Sequence, residues 1–151
     1  MKEFFERTWI DYTVEVDTGR AALFELLRDI QGWPAFTPGL RRIKALGRGP
    51  IDVGSRFNMV IKIPGYPVIV FPCKVYELNQ NRMEWGGGGW GSVIRHGFEM
   101  EALDEERTRL RHFEYATGLL ALFCLPFEKA AYRYDRGWSE AIRQRFAGVT
   151  S

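Results

Sequence analysis

Cysteine and histidine are scarce in this chain, two of each in 151 residues, and each scarcity excludes a class of chemistry. Cys73 and Cys124 sit inside apolar stretches rather than at paired loop positions. That suits buried free thiols in a reducing compartment, argues against a disulfide scaffold, and leaves too few thiolates for a structural zinc site built on cysteine. No stretch reaches the roughly 18 uninterrupted apolar residues of a membrane span. The opening MKEFFERTWIDYTVEV has no basic segment followed by an apolar one, so no secretory leader is read there and the cytoplasm is the expected compartment. Excess charge of one sign is missing too: 21 basic and 19 acidic residues are interleaved to a net +2, so nucleic acid is not an expected partner. Repeats, low-complexity tracts and Pro/Gly/Ser linkers are absent, and residues 1–151 read as a single domain with one core.

What the chain does have is apolar surface, 46% hydrophobic and 15% aromatic residues, too much for disorder. Its elements follow an informative order. TWIDYTVEVD (8–17) alternates as a strand, and Thr18 is a candidate cap for a helix whose apolar residues are Leu23, Phe24, Leu27 and Ile30. WPAFTPGL ends that helix, because two prolines and a glycine cannot continue it. Strand-like runs follow at 40–46, 53–63, 68–78, 81–86, 92–103 and 107–117, separated by turn signals such as GRGP, PGYP and NQN. Phe127, Ala131, Tyr134, Trp138, Ile142 and Phe146 then recur every three or four residues, the period of one long amphipathic helix, with Pro126 at its first turn or at a kink. Strand, helices, meander and long helix together predict an α+β fold: a curved seven-stranded antiparallel sheet wrapped around the C-terminal helix, with two short helices after strand 1.

Both histidines lie in RHGFEMEALDEERTRLRHFEY (95–115), and the register of this hairpin is legible. A turn centred on Glu105 places Glu101 opposite Arg109, Glu99 opposite Arg111, Gly97 opposite Phe113 and Arg95 opposite Tyr115 on one face. The other face then pairs Met100 with Leu110, Phe98 with His112, His96 with Glu114, and Ile94 with Ala116. Shifting the register by one residue sets apolar residues against charged ones. Both histidines and Glu114 therefore point inward among Phe98, Met100 and Leu110, where an unpaired polar group is costly. Two readings stay open: Glu114 accepts a hydrogen bond from His96 and the trio is structural, or the three converge on a small-molecule site.

The pieces W..FTPGL, VGSRF, V.E....RMEW, HGFEME and TRLRHFEYATGLLA, followed by a long C-terminal helix, resemble the START-related SRPBCC superfamily of polyketide cyclase/dehydrase and lipid-transfer-like proteins over nearly the whole chain. The resemblance implies a helix-grip fold with a deep hydrophobic cavity. Its members bind or transfer lipids, hormones and polyketides, and some cyclise polyketides. Mapped onto this chain, it implies a cavity lined by Phe57, Met59 and Ile61, by Phe71, Cys73 and Val75, and by Met83 and Trp85, with Trp33, Phe36, Trp85 and Trp90 near the mouth. Phe98, Met100, Leu110, His96, His112 and Glu114 from the hairpin, and Phe127, Tyr134 and Trp138 from the last helix, complete the expected ligand-binding set. Each apolar member reads equally as plain core.

Other chemistries find less support. GGGGWG (86–91) is permissive backbone without the helix N-terminus or Lys-Ser/Thr pair of a phosphate loop, so it reads as a mobile lid or a kinked strand. His96, His112 and Glu114 have the ligand types of a two-histidine, one-carboxylate iron site, but their spacing is a weak signal; no metal and no cofactor are expected. No serine or cysteine nucleophile is supported. The expected function is binding of a hydrophobic, lipid- or polyketide-like small molecule as carrier or sensor. The alternative is a cyclase, dehydrase or aromatase using His96, His112 or Glu114 as catalytic groups. A partner-binding surface has only the outward Phe113 and Tyr115 in its favour, and the sequence leaves any protein partner unread.

Overall fold

The computed structural model describes residues 6–148; the opening MKEFF, part of the stretch read for a leader, lies outside the described residues. Strand β1 (Glu6–Val16) runs into helix α1 (Arg20–Arg28) and a 3-10 segment (Ile30–Ala35), the two expected short helices. The meander follows as β2 (Leu40–Ala45), β3 (Arg56–Ile61), β4 (Ile69–Leu78), β5 (Arg82–Gly89), β6 (Ser92–Ala102) and β7 (Thr108–Thr117). Helix α2 (Leu119–Phe123), a 3-10 turn (Leu125–Phe127) and helix α3 (Glu128–Phe146) close the chain. All seven strands form one antiparallel sheet in the order β1-β7-β6-β5-β4-β3-β2, so β1 crosses to pair with the last strand while the meander pairs with its neighbours. The fold is the expected α+β helix grip.

The β6–β7 register is the one the side chains demand: His96 opposite Glu114, Phe98 opposite His112, Met100 opposite Leu110. On the outer face Arg111 bonds Glu99 and Asp11, and Arg109 bonds Glu101. The Arg82 guanidinium lies 4.5 Å from the Phe113 ring centroid, and Phe113 is buried beneath it, which removes that ring from any partner surface.

Three local readings change. Thr18 does not cap α1; Gly19 holds that position, where a Cβ would sit 2.7 Å from the Glu105 carbonyl, so the helix start is pressed against the β6–β7 turn. The glycine run is strand: β5 continues through Gly89, pairs with Ser92, and turns through Trp90 and Gly91, both with positive φ (57° and 72°), as a two-residue type I′ hairpin requires. The last helix is not continuous back to Phe127, because Pro126 lies in the 3-10 turn, and Phe127 is 46% exposed with its ring against Tyr66.

The space expected as a cavity is largely filled at its centre. Trp33, Trp85 and Trp138 are fully buried, with ring centroids 4.9–5.8 Å apart, and Phe57, Met59, Met83, Phe98, Met100 and Leu110 belong to the same packed cluster. Phe36 is half-buried at its edge, under the Arg145 guanidinium. A second, smaller cluster of Trp9, Ile94, Ala116 and Ala121 lies toward α2.

Candidate functional site

Between the two apolar clusters runs a layer of polar side chains. β6 contributes His96, β7 contributes His112 and Glu114, and α3 contributes Asp135 and Ser139; of these His96, His112, Asp135 and Ser139 are buried. Alternation sets the strand members inward. Helical spacing sets the others, since Asp135 and Ser139 are four apart on the turn that carries Trp138.

His96 does not bond Glu114, its facing neighbour. Its Nε2 lies 2.5 Å from Nε2 of His112, on the diagonal of the hairpin, and 3.4 Å from Oδ1 of Asp135. Diagonal cross-strand neighbours are within reach of long side chains, and the Asp135 carboxyl enters from the helix side. The imidazoles are nearly coplanar, 5° apart, and meet edge to edge through their ring nitrogens. Their tautomers follow from the other contacts. The Ser139 hydroxyl donates to the Asp135 carbonyl (3.2 Å), so its oxygen accepts from Nδ1–H of His112 (2.8 Å), whose second near acceptor is the same carbonyl at 3.1 Å. His112 Nε2 is then an acceptor, and His96 Nε2–H is the donor facing it.

Burial dominates the electrostatics. It holds His112 down to about 3 and His96 well below the ordinary imidazole value, the latter also disfavoured by a charge on His112. Burial raises Asp135 well above the usual carboxylate value, with the neighbouring Glu114 charge adding, and raises Glu114 as well. The imidazoles are neutral at pH 7. The Asp135 carboxyl shares a hydrogen bond only with the Glu114 carboxyl, and the Tyr134 hydroxyl and the indole nitrogens of Trp85 and Trp138 have no partner. His96→Phe preserves ring volume but removes the donor to His112, so a loss of about 1–3 kcal/mol in urea denaturation is expected.

Of the side chains read from the sequence, Phe71, Glu114 and Tyr134 are inward and half-buried. Leu120, Cys124 and Ala131 pack with Phe71 against the smaller cluster. A depression of about 830 Å³ is lined by Phe71, Cys73, Ile94, Leu119, Leu120 and Phe123, by the glycine strand 86–89, and by polar Arg56, Asn58, Lys74 and Tyr76. A second, of about 840 Å³, lies between Pro34–Arg41, Lys62–Tyr66 and the Tyr134 side of α3. Asp135 and Ser139 escaped the sequence reading because the helix was read by its apolar period alone. The available signal was an acid on the same helical face as Ala131, Trp138 and Ile142.

No family model matches the chain, and no curated protein matches it. Solved structures do. A START superfamily protein from Mycobacterium smegmatis superposes with a TM-score of 0.71 at 18% identity, over 97% of this chain and 99% of that one. The Zhui aromatase/cyclase of a Streptomyces species gives 0.67 at 16% identity over 94% and 97%, and norcoclaurine synthase from Thalictrum flavum 0.69 at 14% over 93% and 86%. Likeness over nearly the full length at such low identity is a likeness of backbone, and it shows that this chain has the START-like, SRPBCC helix-grip fold.

Proposed function

We propose that the protein binds a hydrophobic small molecule, as carrier or sensor, in the depression bounded by residues of α2, β4, β5 and β6. The observation that carries this reading is the 830 Å³ depression, within the range of small-molecule sites, whose lining joins an apolar side of Phe71, Ile94, Leu119, Leu120 and Phe123 to polar Arg56, Asn58, Lys74 and Tyr76. Leu119, Leu122 and Phe123 of α2 are exposed, and apolar contact is worth about 25 cal/mol per Å² removed from water. A lipid- or polyketide-like ligand fits this chemistry. The free thiols Cys73 and Cys124 support a reducing, cytoplasmic setting, and among the described residues no helix is long and apolar enough to cross a membrane.

Titration with a naphthalene sulfonate fluorophore and with a tricyclic aromatic phenol tests this. Saturable one-site binding is expected, weakened at least about tenfold, or 1.4 kcal/mol, by Leu120→Asp. Absence of saturable binding, or equal affinity in the variant, overturns the reading.

One observation favours a catalytic second reading, a cyclase, dehydrase or aromatase. Glu114 is held toward its protonated form and borders the buried His96–His112 pair. Under that reading Glu114→Gln abolishes turnover of a polyketide-like substrate while leaving its binding intact; under the carrier reading it changes affinity alone.

A further inference from the structure

We propose that His96, His112 and Asp135 form a buried binding site for one divalent transition-metal ion of the zinc class. Three ligand atoms converge from three elements: Nε2 of His96 on β6, which ligates with its ring proton moved to Nδ1, Nε2 of His112 on β7 and Oδ1 of Asp135 on α3, at mutual separations of 2.5, 3.4 and 4.0 Å. Around a tetrahedral zinc with bonds of about 2.0–2.1 Å, neighbouring ligand atoms stand roughly 3.3 Å apart. Opening the Nε2–Nε2 edge by less than about 1 Å, with a slight closing of the His112–Asp135 edge, produces that triangle.

Two independent observations point to an ion there. Asp135 is 1% exposed, no N–H group donates to its carboxyl oxygens within hydrogen-bond geometry, and it shares a hydrogen bond only with the Glu114 carboxyl, a buried pair of acids whose mutual repulsion a cation at Oδ1 would relieve. His112 is already held as a metal-binding imidazole is held: Nδ1–H is fixed by Ser139 Oγ and the Asp135 carbonyl, which leaves the Nε2 lone pair facing the shared point. Glu114 lies beside Asp135 on the half-buried side, where it supplies a fourth oxygen or holds a water in that position. Two imidazoles and carboxylate oxygen suit zinc or ferrous iron and disfavour calcium and magnesium, which take oxygen ligands. From the sequence, the spacing of His96, His112 and Glu114 is a weak metal signal; Asp135, brought in by α3, completes the set with the two histidines.

The site does not depend on the hydrophobic-ligand reading, and its test uses metal alone. The full chain is stripped with a chelator and titrated with Zn²⁺ by calorimetry and with Co²⁺ by visible absorption. Both histidines of the chain are in the cluster, so any histidine-ligated ion must sit here. One ion per chain at micromolar affinity or tighter, a rise in Tm, and Co²⁺ bands of four-coordinate intensity are expected. Asp135→Asn keeps the side-chain shape and should weaken Zn²⁺ at least about 100-fold while the metal-free variant melts no lower than the metal-free parent; Ser139→Ala should weaken it about 10–100-fold. No stoichiometric binding at millimolar Zn²⁺, a six-coordinate Co²⁺ spectrum, or undiminished affinity in folded Asp135→Asn overturns the proposal.

Discussion

Trp138→Ala lowers the stability of the protein by about 3–5 kcal/mol, the range for truncating a large buried aromatic side chain. Trp138 is fully buried on α3, and its ring touches the central cluster and the polar layer at once. Its centroid lies 5.0 Å from Trp33, 5.8 Å from Trp85, 5.4 Å from Phe98 and 5.5 Å from each histidine. Removing it opens a void in the middle of the grip, where the sheet cannot close on the helix without displacing the His96–His112 pair. The indole nitrogen has no partner, so no hydrogen bond is lost and the effect is one of packing. Urea denaturation with an unchanged m-value checks it; a loss below about 1 kcal/mol would mean that the ring is not core.

Gly86→Ala is expected to cost about 4 kcal/mol, near the upper end for a single substitution, whereas Gly89→Ala in the same run costs less than about 1. A Cβ at Gly86 would lie 1.9 Å from the Ile94 carbonyl oxygen of the paired strand, while nothing lies within 4 Å of a Cβ at Gly89. The obstacle is the β6 backbone at Ile94 and Arg95, so relief requires β5 and β6 to part. Gly87 and Gly88 are constrained similarly, by the Pro72 and Ser92 carbonyls at 2.5 and 2.2 Å. The glycine run is therefore a requirement of close strand approach up to its last residue. Paired thermal melts of the two variants decide; equal effects would contradict this account.

These residues also show what the sequence discloses. The β6–β7 register was readable because both faces are patterned: only one pairing sets Glu99 and Glu101 against Arg111 and Arg109 while keeping Met100 against Leu110. Sheet twist is not written in any residue. The direct partner of His96 was therefore predictable, but its diagonal contact with His112 was not. Asp135 needed the third dimension as well, since α3 approaches the hairpin from a site remote in sequence and adds a carboxyl that alternation on the strands cannot place. The cavity was over-read for a related reason. Apolar inward residues such as Trp33, Trp85 and Trp138 look the same in sequence whether they line a space or fill it, and here their interlocked rings fill it. Among the described residues an opening remains toward α2, beside half-buried Phe71 and Leu120, and a second lies on the Tyr134 side of α3.

The central claim is that the small-molecule site lies toward α2. Methyl-resolved NMR during titration with the tricyclic phenol tests it most directly. The account predicts saturable shifts at Ile94, Leu119 and Leu120, with Leu23 and Leu27, buried on α1, unmoved. Shifts confined to Leu40 and Ile63, beside the second depression, or no shifts at saturating ligand, would contradict it.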